Sequence, residues 1–294
     1  MAPYPVDWIV AVYNAALVPV WLGLAPKSAA APWLALAHGV AALLPFLLRR
    51  IRSVPPKGRA VFVLYPVVAL ALFWSELGTL QSLRAAPPLD EVVRRLDLAV
   101  FGTHWHEVWM GAMPQAWMSE LMHFGYFLYY PVLVVPPLVI LAVRGHEAFR
   151  SVALAVMVTY LSCFLFYLAV PVYGPRAMTE GSLPPGTVGF FQALVEGARE
   201  RGDSPGTAFP SSHVAGAVTI AWMGWRWLPR AWGLVLSASA AMVALATVYT
   251  RNHYAVDALA GLLWALALQG WLVPRLERGT AKREPTEAAV GSAT

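Results

Sequence analysis

One cysteine, Cys163, stands in a chain of 294 residues. A lone thiol excludes an intrachain disulfide and a cysteine-built metal cluster. Inside an apolar run it reads as a small buried side chain. Charge is scarce as well: 13% of the residues are Asp, Glu, Lys or Arg, against roughly 25% in a soluble domain. Hydrophobic residues make up 59% and the mean hydropathy is +0.58, which excludes an ordinary soluble fold and points to an all-α integral membrane protein. No internal repeat and no low-complexity core is present. The formal net charge of +5 is read as membrane topology and not as a nucleic-acid surface.

What is there in abundance is uncharged sequence. A spanning helix needs about 20 apolar residues. Uncharged stretches fall at Trp8–Pro26, Ser28–Leu48, Ala60–Ser75, Leu121–Val143, Ser151–Pro175, Ser204–Trp225, Ala231–Thr250 and Ala258–Pro274. About eight transmembrane helices are therefore expected, the short third one continuing past Glu76. They form one polytopic domain over residues 1–274, followed by a disordered cytoplasmic tail over 275–294. The chain begins MAPYPVD with no basic segment, so its start is expected to open the first span and not to be a cleaved signal.

An even number of spans puts both termini on one side. The short loops and tail of that side hold Arg49, Arg50, Arg52, Lys57, Arg59, Arg144, Arg150, Arg226, Arg230, Arg275, Arg278, Lys282 and Arg283, which is 13 of the 21 basic residues. The positive-inside rule makes that side cytoplasmic and the opposite face extracytoplasmic. Arg49–Arg59, with Pro55 and Pro56, is expected to face anionic lipid. Two longer segments lie on the opposite face. In Gln81–Glu120, Asp90 reads as the N-cap of a short amphipathic helix, EVVRRLDLAVF, lying in the interface. Next to it, His104, His106 and Glu107 resemble metal ligands. However, H-x-H-E is not a helical i, i+4 pair and no third ligand is evident, so no metal is expected there. His38, in the second run, reads as a packing residue. The second long segment, Gly174–Pro210, is rich in Gly and Pro, with a short interfacial helix near Thr187–Arg201. Loops of that length are commonly functional.

Two histidines organise the rest. ATVYTRNHYAVDALAG places His253 four residues before Asp257, a spacing that shares one helix face and lets a carboxylate fix one imidazole tautomer. FPSSH places His213 at the start of another apolar run, after Ser211 and Ser212, which suit a helix N-terminus and its free amides. Tracing the spans brings Arg176, His213, Arg251, His253 and Asp257 to one membrane face. Arginine matches phosphate oxygens in a bidentate fashion. One histidine can attack phosphorus while the other protonates the leaving oxygen. With no carboxylate cluster at this face to hold magnesium, no metal and no cofactor are expected.

YGPR, FPSSH and TVYTRNHYAVDALAG together resemble the type-2 phosphatidic acid phosphatase superfamily, and within it the inositol phosphorylceramide synthase-like branch. The resemblance covers roughly Leu96–Gly270, with sharp motifs in its last hundred residues. It implies a six-helix core over about 96–274. It also implies that His253 is a nucleophile forming a phosphohistidine, that Asp257 orients it, and that His213 acts as general acid and then base. Arg176 would hold phosphate, with Ser211 and Ser212 near it. The sequence departs from the family pattern at several points. The usual Ser-Arg pair before the nucleophile falls on Ala246 and Thr247, so Arg251 is expected to substitute. The third position of the PSGH-like segment is Ser212. Arg176 has neither an upstream lysine partner nor a following proline.

The implied activity is a metal-independent lipid phosphatase or phosphotransferase acting from the extracytoplasmic side on a phospholipid, sphingolipid or prenyl phosphate. Synthesis of a phosphosphingolipid or phosphoinositol lipid falls within that range. The motif does not choose between water and a lipid hydroxyl as acceptor. Two other classes compete: a transporter or flippase for a phosphorylated lipid or solute, and an intramembrane serine protease using Ser211 or Ser212 with His253. The clustering of charge at one face and not at midplane counts against the first. The missing G-x-S-x-G setting counts against the second.

Overall fold

The computed structural model describes residues 4–47, 59–178, 189–202 and 204–281. Among these residues it is helical, and its extended pairing is the single bridge Val172–Thr207. Thirteen helices follow in order: α1 Pro5–Gly23, α2 Ala31–Leu47, α3 Arg59–Arg84, α4 Asp90–Phe101, α5 Trp105–Ala112, α6 Ala116–Phe127, α7 Tyr129–Ala169, α8 Pro175–Met178, α9 Phe190–Gly202, α10 Ser212–Trp227, α11 Arg230–Tyr249, α12 Ala255–Ala267 and α13 Val273–Ala281, with a π-helical turn Leu268–Leu272 joining the last two.

Among the described residues, four helical stretches are long and apolar enough to cross a membrane: Pro5–Gly23, Ala116–Ala169, Arg230–Tyr249 and Ala255–Arg278; Ala31–Leu47 is a shorter apolar helix. One part of the difference from the eight expected runs has a physical reason. The 54-residue stretch contains two of those runs, and the chain leaves helical geometry inside it at Gly145, where φ is 79° and ψ −172°. The side chains show what this does. Tyr129 and Tyr160 are 31 residues apart, yet their hydroxyls share a 2.7 Å hydrogen bond. A straight helix would separate them by about 46 Å, so α7 is a hairpin of two arms, 129–144 and 146–169. Gly145 supplies a left-handed φ that other residues adopt only at a cost.

The second arm is the pillar of the molecule. Every residue from Val152 to Leu161 is buried, as expected of a helix apolar all round, and α1, α3, α10 and α11 pack on it. Several polar groups within the bundle find partners, as the absence of water favours. Gln269 Nε2 donates to Thr159 Oγ1 at 3.1 Å and Thr219 Oγ1 at 3.2 Å, tying the π-helical turn to α7 and α10. Near the N-terminus, His38 Nδ1 meets Asn14 Oδ1 at 2.7 Å and its Nε2 meets Glu76 Oε1 at 2.5 Å. The Trp21 indole donates to the same carboxylate. His38 thus joins α1, α2 and α3.

Other sequence expectations fare variously. Helix α3 does run past Glu76. The interfacial helix expected near Thr187–Arg201 is α9, Phe190–Gly202. The tail expected to be disordered from residue 275 is helical to Ala281. There Glu277 accepts hydrogen bonds from Arg226 Nη1 at 3.0 and 2.9 Å. The basic loop between α2 and α3, apart from Arg59, and the tail beyond Ala281 lie outside the described residues. Asp90 is not the N-cap of α4 but its first residue, and its carboxylate serves a different purpose, described next.

Candidate active site

The end of α7, the start of α10, the end of α11 and the start of α12 meet at one end of the bundle. Close packing brings them together. A Cβ on Gly261 would stand 2.4 Å from the Ser211 carbonyl oxygen, so only glycine lets α12 lie against the start of α10. Ser211 N donates to Asp257 O at 3.0 Å. Tyr167 Oη, from the pillar, donates to Pro210 O at 3.0 Å and accepts from Ser212 N at 3.2 Å.

Helix α4 clasps the site from outside through two buried aspartates. Asp90 accepts from Tyr173 N at 2.9 Å and Gly174 N at 2.8 Å, fixing the turn that carries Arg176. Asp97 Oδ1 accepts from Val256 N at 2.9 Å, capping a free amide in the first turn of α12. Tyr254, just before that turn, donates to Asp90 Oδ1 at 3.3 Å. Burial and the neighbouring carboxylates of Asp90 and Asp257 raise its phenol well above the usual range, so it stays a neutral donor.

His213 and His253 face each other in this setting. Their rings are T-shaped, with centroids 5.6 Å apart. His253 Nδ1 lies 2.9 Å from the Ala208 carbonyl oxygen and 3.5 Å from Asp257 Oδ2. A carbonyl only accepts, so Nδ1 carries the proton and Nε2 keeps its lone pair. The backbone carbonyl just before FPSSH is therefore the nearer orienting group, with Asp257 behind it. Asp257 Oδ2 also accepts from Tyr254 N at 2.8 Å. His253 precedes α12, so the i, i+4 relation with Asp257 is made across a helix N-terminus. His213 Nε2 shares a 3.0 Å hydrogen bond with Tyr126 Oη, and the Tyr129 ring packs on His213 at 4.3 Å between centroids.

Both histidines open onto a cavity of about 370 Å³ whose lining includes Tyr126, Arg176, Arg199, Asn252 and Trp74. Arg176 is engaged: its Nη1 donates to Glu196 Oε1 at 2.6 Å and its Nη2 donates to Glu196 Oε2. Arg199 approaches the same carboxylate at 3.6 Å. Two arginines thus converge on one anion at the cavity wall.

The remaining expected site residues lie elsewhere. Arg251 does not line this cavity. Its backbone takes a positive φ of 59°, its carbonyl accepts from Arg176 N at 3.1 Å, and its buried Nε has no hydrogen-bond partner among the described residues. Ser211 Oγ accepts from Val214 N at 3.4 Å, so that hydroxyl acts as the N-cap of α10. Neither Ser211 nor Ser212 lines the cavity. Conversely, Arg199, Glu196 and Tyr126 were not singled out from the sequence. The basic segment of α9 was the one signal that could have pointed to Arg199.

Comparison with known proteins places the chain in a family. The family model of the PAP2 superfamily matches residues 93–271, the stretch from α4 to the π-helical turn. A PA-phosphatase related-family protein of Dictyostelium discoideum is 31% identical over 127 residues, which cover 40% of this chain and 22% of that relative. The chain thus spans about a fifth of that protein's length. No solved structure is a significant match. With the family model covering well over half of the sequence and all of the cavity-forming histidines and arginines but Trp74's helix, the chain belongs to the PAP2 superfamily.

Proposed function

We propose that this protein is a membrane-embedded phosphatase or phosphotransferase that cleaves a lipid phosphate ester through a phosphohistidine on His253. The observation that carries the reading is the pair of facing imidazoles, one with a free Nε2 lone pair, opening onto a cavity walled by Arg176 and Arg199. Superfamily membership supports phosphoester chemistry. The apolar helices around the cavity support a lipid substrate. The comparisons lend no support to the transporter alternative.

In the first step His253 Nε2 forms a bond to phosphorus and the bond from phosphorus to the lipid oxygen breaks. The electron pair goes to that oxygen, which takes a proton from His213 Nε2, where Tyr126 Oη now rests. In the second step neutral His213 removes a proton from the acceptor, whose oxygen attacks phosphorus and releases His253. Water as acceptor gives inorganic phosphate. A lipid hydroxyl gives a new phospholipid or phosphosphingolipid, as the inositol phosphorylceramide synthase-like motifs would have it. Arg176 and Arg199 neutralise the phosphoryl oxygens. No metal takes part, because two guanidiniums supply the positive charge. For Arg176 to reach phosphate, the ester must displace Glu196, whose carboxylate holds the same donors.

The active site faces the extracytoplasmic side, as the distribution of basic residues supports. The test is product analysis with purified protein in detergent. Phosphatidic acid, a prenyl diphosphate, and a phospholipid plus ceramide or diacylglycerol are offered in turn, with His253→Ala as control. Free phosphate or a transferred head group, lost in the variant, is expected. Near-normal turnover by His253→Ala would overturn the mechanism.

A further inference from the structure

On the other side of Tyr254 from the cavity lies a second pair of histidines, His106 buried and His104 half-buried. The His106 ring packs edge-on against Tyr254 with centroids 4.9 Å apart. Its Nδ1 is 3.9 Å from Asp97 Oδ2, and His104 Nδ1 is 3.3 Å from the same oxygen. One ligand atom from each of Asp97, His104 and His106 lies within 4.8 Å of the others. Ligands bound about 2.0–2.1 Å from a tetrahedral zinc stand about 3.3 Å apart, so modest contraction of the three would close a site.

The hydrogen bonding leaves a place for a cation. His106 is 2% exposed, and its Nδ1 has no hydrogen-bond partner among the described residues. Its Nε2 faces Glu107 Oε1 at 3.5 Å. A proton on Nε2 suits that carboxylate and makes Nδ1 a bare lone pair aimed at Asp97. Two acceptors facing each other across 3.9 Å, out of water, want a cation between them. Asp97 is suited to the task, since its Oδ1 is occupied by Val256 N and its Oδ2 is turned to the histidines. His104 Nε2 now meets Arg94 Nη1 at 3.1 Å. To ligate through Nδ1 the ring must carry its proton on Nε2, which moves Arg94 away. Arg94 already has Glu91 at 3.0 Å as an alternative partner.

We infer that Asp97, His104 and His106 form a binding site for a divalent first-row transition ion of the zinc type, with solvent completing the shell. Two imidazoles and one carboxylate suit that class of ion. The expectation of no metal at H-x-H-E rested on a missing third ligand, and the fold brings Asp97 from α4 to supply it. The ion stands apart from the reacting atoms. It braces α4 and α5 against the first turn of α12, through the bond of Asp97 to Val256.

The test uses full-length protein with any affinity tag removed, equilibrated with equimolar zinc, passed through a desalting column and assayed for metal. About one zinc per chain is expected, with a rise in Tm. At least a tenfold drop in retained zinc and no rise in Tm are expected for His104→Gln combined with His106→Gln, in protein that still elutes as a single folded species. Cobalt(II) is the second probe and needs no variant: the wild-type protein should develop the visible bands of a four- or five-coordinate ion. No retained zinc and no cobalt bands in the wild type would overturn the site. So would equal retention by a folded double variant.

Discussion

Two pairs of histidines, each with one member buried, flank the first turn of α12, and their surroundings carry opposite charge. On the cavity side, His213 and His253 look toward Arg176 and Arg199. On the far side, His104 and His106 gather around Asp97. The same side chain serves both, because an imidazole nitrogen is a donor or an acceptor according to what its other nitrogen meets. Ala208 O holds the proton of His253 on Nδ1 and frees Nε2 toward the arginines, where an anion belongs. Glu107 favours the proton of His106 on Nε2 and turns Nδ1 toward a carboxylate, where a cation belongs. Arginine-lined and aspartate-lined histidines are therefore different instruments.

The largest effect should come from the nucleophile. His253→Ala should reduce turnover by about a thousandfold or more, measured as phosphate release or head-group transfer. A variant that kept most of its activity would erase the distinction between the two groups. Next come the arginines. Arg176→Ala should cost about a hundredfold in kcat/KM, the scale of removing a donor to transition-state charge. Arg199→Ala should cost less, and Arg251→Ala least, because Arg251 lies off the cavity. A larger loss for Arg251 than for Arg199 would return the second phosphate arginine to where the sequence alone put it.

Smaller effects sharpen the picture. Glu196→Gln removes the anion that competes with phosphate for Arg176. Its KM should fall by about three- to tenfold, the effect of a charged partner worth about a kilocalorie per mole. An unchanged or raised KM would make Glu196 a support for Arg176 and not its competitor. Gly261→Ala places a methyl against the Ser211 carbonyl. It should destabilise by about 1–3 kcal/mol, as overpacking does, and a lowered Tm would report it.

The parts of this site that the sequence displays are the local ones. FPSSH and HYAVD carry His213, His253 and Asp257 within a few residues of a helix start, and spacing alone conveys that. The apolar runs likewise mark α1, α2 and α11 to within a few residues. Groups that arrive by tertiary packing are not legible in this way. Arg199 and Glu196 come from α9, Tyr126 from α6, and Asp90 and Asp97 from α4. Arg199 and Glu196 stand outside the motifs by 10 or more residues, and the other three are separated by 80 or more from the groups they bind. Asp90 shows the limit well. Its position before a helical pattern suits an N-cap, and only the fold reveals that its carboxylate clasps residues 173 and 174. Arg251 shows the reverse: proximity in sequence to His253 placed it in the site, and a left-handed turn took it out. The hairpin of α7 is legible as well, because the charged stretch Arg144–Arg150 separates two apolar runs and Gly145 turns the chain there.

Covalent capture of the phosphoryl group tests the central claim most directly. Purified His213→Ala is mixed with a phosphate-labelled lipid ester bearing a good leaving group, so that the first step needs no acid and the second lacks its base. Acid-labile, base-stable label on the peptide containing His253, absent from the His253→Ala, His213→Ala double variant, is the predicted result. Label on Ser211 or Ser212, or turnover with no label on any histidine, would contradict it.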